Sequence, residues 1–173
     1  MTRTTNARLA GIAFLLYIAA GLAGMGLQGR PHATAVLSLM TSFCALVLGV
    51  TLYALTRDED ADLALLALTC RVIEAVPSHA AAIFFAVGST LFAWLLLRGR
   101  MIPVALAWLG VVASLLLVAV LPMQQAGLLG GSTGWASSMA WLTWLPMLVF
   151  EVVLALWLLT KGVASRQAAP PPT

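Results

Sequence analysis

Charge is scarce in this chain. Only 9% of its 173 residues are Asp, Glu, Lys or Arg, where a water-soluble domain carries about a quarter. That scarcity excludes a soluble globule, and a hydrophobic content of 62% excludes a disordered chain, which needs the reverse composition. Cysteine is equally sparse. Cys44 and Cys70 both fall in apolar stretches, so no secretory disulfide framework is present and each reads as small apolar filler. The 14 glycines follow no period, which removes a fibrous fold. A Gly-rich phosphate loop, a Ser-His-Asp set, an HExxH helix and zinc-type cysteine pairs are all missing, so no cofactor is implied. His32 and His79 have no carboxylate or cysteine nearby, and no metal site is expected. The formal charge of +3 comes without a clustered basic face, so nucleic acid is not the partner; the lipid bilayer is.

What the chain does have is long apolar runs. A helical span needs about 20 mostly apolar residues, and six stretches qualify or nearly do: about 9–27, 33–56, 62–76, 80–97, 102–122 and 138–160. The expected fold is therefore all-α, a polytopic transmembrane helical bundle in a single domain over 1–163. Residues 123–137 form a Gly- and Ser-rich loop, and 164–173, ending in three prolines before Thr173, read as a disordered cytoplasmic tail. The third and fourth stretches are short. Pro77 disfavours helix at the residue before it, so the turn belongs there. Two tight spans are the first reading of 62–97; the alternative is four spans plus a re-entrant hairpin. With six spans, Arg3, Arg8, Arg57, Arg98, Arg100, Lys161 and Arg166 fall on one side and only Arg30 on the other. Positive charge marks the cytoplasmic face, so both termini should be cytoplasmic. The first run is longer than a signal-peptide core and reads as an uncleaved span.

Ionisable groups inside a bilayer are expensive, and they are where function is sought first. Arg71 lies nine residues from Asp62, and Glu151 nine residues from Thr160. At 1.5 Å per residue both sit about 13 Å deep, near the midplane. Opposite charges at matching depth on two helices can pair. Glu74, three residues after Arg71, shares its helix face. One guanidinium and two carboxylates sum to minus one, so a proton or a bound cation must complete a proposed midplane cluster of Arg71, Glu74 and Glu151. The plainer reading is a structural ion pair that docks the third helix on the sixth. Tyr17, Ser42, Ser89 and Thr90 lie at similar depth as candidate cavity-lining residues, although such groups more often bond locally; Cys44 is at that depth too. Pro146, about one and a half turns before Glu151, removes a backbone bond and frees the Leu142 carbonyl. Trp135, Trp141 and Trp144 read as an interfacial aromatic belt.

Four motifs carry a resemblance. Arg8-Leu-Ala-Gly11, Cys70-Arg-Val-Ile-Glu-Ala75, Phe92-Ala-Trp-Leu-Leu-Leu-Arg-Gly-Arg-Met-Ile-Pro103 and Phe150-Glu-Val-Val-Leu-Ala-Leu-Trp-Leu-Leu-Thr-Lys-Gly162 together resemble a family of uncharacterised bacterial integral membrane proteins, domain of unknown function 4386. The resemblance runs over roughly residues 8–163. One departure is the abrupt Pro77–Ala80 turn, where such proteins carry a longer stretch. The resemblance implies a multi-pass protein of the bacterial inner membrane and names no activity.

The first functional expectation is a small transporter, linked to protons or cations through the midplane cluster. The alternative is a structural or regulatory membrane subunit, in which the cluster only docks helices and the partner is a second copy or another membrane protein. A second alternative is an intramembrane enzyme acting on a lipid-like substrate with a Glu as acid or base. Catalytic residues are not assigned, and the balance of features leans away from an enzyme.

Overall fold

A computed structural model describes residues 2–27, 29–128 and 138–164. Six helices follow one another: α1 (Arg3–Gly26), α2 (Pro31–Thr56), α3 (Ala61–Glu74), α4 (Ala81–Arg98), α5 (Val104–Gln125) and α6 (Ser138–Thr160). Among the described residues there is no strand. The fold is all-helical, and five of the six helices are long and apolar enough to cross a membrane. Of the loop expected over 123–137, residues 123–125 belong to α5, while 129–137 with Trp135, and all of the expected tail 164–173 but Ala164, lie outside the described residues.

The helices pack in chain order, each against the next, and α1 closes the circle on α6. Because successive helices run antiparallel, both described chain ends reach the same end of the bundle. There the Ala164 amide donates to the Met101 carbonyl at 3.0 Å, and Arg98 at the foot of α4 pairs with Asp60 at 3.2 Å. At the opposite end the Gln125 amide nitrogen donates to the His79 carbonyl at 2.8 Å, joining the end of α5 to the α3–α4 turn. The outside of the ring is oily: Leu39, Phe43 and Leu142 are 71%, 68% and 69% exposed. A soluble protein does not present such a continuous apolar girdle, and the inside holds Arg71, Glu74, Ser89, Ser114, Thr143 and Glu151 buried. This is the polarity of an integral membrane protein.

Three helix ends depart from the hydropathy pattern for local reasons. α1 begins at Arg3, well before the apolar run, because the Thr2 hydroxyl caps the Thr5 amide at 3.2 Å. α5 passes Pro122 and stops at Gln125, since the proline removes one donor while its own carbonyl still accepts from Ala126 at 2.9 Å. α3 ends at Glu74, short of the expected 76, because Pro77 forces the residue before it out of helical geometry. With 14 residues α3 is the shortest helix. At 1.5 Å per residue it is about 21 Å long, against roughly 30 Å of hydrocarbon.

Candidate functional site

α3 owes its position to its first turn. The Asp60 side chain accepts from the Leu63 amide at 3.1 Å, an N-cap that fixes where the helix starts. Two close glycine contacts then clamp it. A Cβ on Gly49 of α2 would lie 2.9 Å from the Arg71 Cβ, and one on Gly88 of α4 would lie 3.0 Å from the Cys70 Cβ. Only a hydrogen at each place lets both neighbours approach this closely, and the approach pushes Arg71 into the ring.

Arg71 is 1% exposed, and both of its terminal nitrogens are bonded. One terminal nitrogen donates to both oxygens of Glu74, at 2.9 and 3.2 Å. The other donates to the Ser89 hydroxyl on α4 at 2.9 Å. The guanidinium carbon stands 5.0 Å from the centre of the Phe85 ring, within cation–π range. Glu74 in turn accepts from the Tyr17 hydroxyl of α1 at 2.8 Å. Tyr17 stacks on Phe85 with centroids 6.2 Å apart, and Phe85 meets Trp144 of α6 at 5.9 Å. One network thus ties α1, α3 and α4 together through polar bonds and reaches α6 through the Phe85–Trp144 ring contact.

Arg71 pairs with Glu74 and not with Glu151. The reason is geometric: α3 and α6 are not neighbours in the ring, and Glu74 one turn along the same helix lies closer to the guanidinium. Docking of α3 directly on α6 through an ion pair is therefore not what this arrangement does. Glu151 is 4% exposed, and its Oε1 has no hydrogen-bond partner among the described residues. The Arg71 Nε is likewise without one. A buried donor and a buried acceptor are left open in one cluster.

Two cavities approach this cluster. The first, of about 260 Å³, is lined by Tyr17, Ser38, Thr41, Ser42, Glu74 and Trp144, among others. Its lining takes in Glu74 at the end of α3 and Ala81 and Ala82 at the start of α4. The second, of about 190 Å³, shares Tyr17, Thr41, Phe85 and Trp144 with the first and ends on Glu151. Towards the termini the space closes. Phe14, Leu52, Phe92, Phe150 and Leu154 surround a void of only about 10 Å³ beside Arg71 and Ser89, the lower limit for a single water.

Of the residues singled out from the sequence, Tyr17, Arg71, Glu74 and Ser89 are joined by hydrogen bonds, Ser42 lines the first cavity and Glu151 the second. Thr90 stays apart, its hydroxyl bonded back to the Ala86 carbonyl at 2.8 Å. Cys44 is buried and free. Phe85 went unnoticed in the sequence, although it lies four residues before Ser89 and so on the same face of α4.

Residues 78–162 match a family model described as domain of unknown function (DUF4386). The match takes in the Phe92–Pro103 and Phe150–Gly162 motifs, with Ser89 and Glu151. It stops short of Tyr17, Arg71 and Glu74, so it is narrower than the resemblance over 8–163. No curated protein and no solved structure matches the chain.

Proposed function

We propose that this chain, whose residues 78–162 match the model of the domain of unknown function 4386, is a proton- or cation-linked carrier for a small solute. Six spans with both termini cytoplasmic fit the seven-to-one placement of Lys and Arg, and the bacterial inner membrane is the proposed location. The single observation behind the reading is a cavity that carries Ser38, Thr41 and Ser42 among its walls and reaches Glu74 and Tyr17, with an aromatic and aliphatic plug on the side towards the termini. A carrier needs access from one side at a time. The Arg71–Glu74 pair is neutral as a unit, so Glu151 is the group that takes a proton or a cation. A structural role also has an observation in its favour: Arg71 bonds α4 through Ser89, and Glu74 bonds α1 through Tyr17, as a helix lock would.

Infrared difference spectroscopy in nanodiscs, with proton flux in proteoliposomes, separates the two. The carrier reading expects a protonated-carboxyl band at neutral pH that disappears in Glu151→Gln and survives in Glu74→Gln, together with a flux that Glu151→Gln abolishes. Absence of the band, with flux no greater than in empty vesicles, leaves the helix lock.

A further inference from the structure

α1 and α6 do not stay together along their whole length. Near the termini they are in tight contact, where a Cβ on Gly11 would lie 2.8 Å from the Ala155 carbonyl oxygen. Farther along α1, Gly21 lines a cavity together with Trp141 and Trp144 of α6, and a Cβ there would meet nothing within 4 Å. The two helices part towards the end remote from the termini. The space between them is the 190 Å³ cavity, walled by Ile18, Gly21 and Leu22 on one side and Trp141, Trp144 and Leu148 on the other. Leu22 and Trp141 are each 46% exposed on the oily perimeter, so the mouth faces lipid. The inner end is the Glu151 carboxyl, with Oε1 open.

We infer that this cleft is a lipid-side binding site for a lipophilic amine, whose hydrocarbon body lies between α1 and α6 and whose ammonium group docks on Glu151. The walls exclude a hydrophilic solute, because a polar body there would lose its hydration without gaining partners. The end wall offers a lipophilic acid no counter-charge, whereas an ammonium can take the place of the proton on Glu151. An ammonium supplies the one positive charge that Arg71, Glu74 and Glu151 together lack. Trp144 lines the same cavity, and an indole attracts cations. The volume equals about six waters' share of liquid, enough for the headgroup and the first part of a chain whose remainder stays in the bilayer. The inference rests on Glu151 being the open charge site of the proposed function, but it does not require transport.

A hydrophobic carbodiimide tests it. In nanodiscs, dicyclohexylcarbodiimide adds the carboxylic O–H across one C=N bond, and the O-acylisourea rearranges to a stable N-acylurea that peptide mass mapping locates. Labelling is expected at Glu151. Dodecylamine should protect about tenfold better than dodecanol at equal concentration, a step of one decade in affinity, and dodecanoate should not protect. Gly21→Leu, which narrows the mouth without touching the acid, should slow labelling and weaken protection. Equal protection by amine, alcohol and acid overturns the inference, as does labelling that ignores all three. Protection by the amine without proton flux in the same preparation keeps the binding site and removes the carrier reading.

Discussion

The two ends of this bundle are built from the same six helices and differ sharply in how they are filled. Towards the termini, Phe14, Leu52, Phe92, Phe150 and Leu154 leave about 10 Å³. Towards the other end, cavities of about 260 and 190 Å³ remain. Composition does not explain this, since apolar side chains dominate both. Helix length does. α3 stops at Glu74 and α4 begins at Ala81, so near the α1–α2 turn the ring lacks one wall. The last residue of the short helix becomes a cavity floor, which is why a carboxylate that would be walled in elsewhere stands at the edge of open space.

The strongest way to break the contrast is to remove the cation between the two ends. Arg71→Leu leaves Glu74 buried without its partner and should cost about 3–5 kcal/mol, read as loss of the thermal transition in nanodiscs. Replacing the pair together, Arg71→Leu with Glu74→Met, should recover most of that loss. If the double variant is no better than the single, the pair is not the unit described here. Tyr17→Phe removes one bond to a charged acceptor and should cost about 1.5–3 kcal/mol, with no change in the plugged end; hydrogen exchange along α4 against α1 and α3 reads where the loosening falls. Filling each end with the same substitution sharpens the comparison further. Ala93→Leu, at a residue 1% exposed in the plugged end, should cost about 1–3 kcal/mol by overpacking. Ala82→Leu, on the wall of the open cavity, should lie within about 0.5 kcal/mol of wild type. Equal costs for the two alanines would show that the cavity is not real space.

Much of the fold was legible because hydropathy is a local signal. Six helices, the turn at Pro77 and the awkward brevity of the third helix all follow from residues next to one another in the chain. Which helices touch was not legible, since lipid-facing and protein-facing apolar surfaces read alike. That is why Arg71 and Glu151, matched in depth, suggested a pair: depth is a property of one helix, whereas pairing needs the order of the ring. The Arg71–Glu74 bond was within reach, being three residues apart on one helix, and so was a place for Tyr17 and Ser89 at that level. Phe85 carries no polar mark, and only its spacing from Ser89 could have drawn it in. The parting of α1 from α6 has its trace in Gly11 and Gly21, but a glycine marks close contact in one case and open space in the other, and the letter is the same.

The i, i+3 pairing of Arg71 with Glu74 has a consequence for how the protein is made. A 14-residue helix carrying both residues as separate charges would face about 2.5–3.5 kcal/mol of insertion cost for the arginine alone. Because the two charges close on each other within one turn, α3 can meet the translocon with that pair already neutral and only Asp62, in its first turn, left charged. The bond needs no other helix. Ser89 and Tyr17 can then engage once α4 and α1 have arrived, so the order of synthesis and the order of assembly are compatible. A hairpin too short to be a conventional pair of anchors can thus enter the membrane as one unit, carrying its own counter-ion with it.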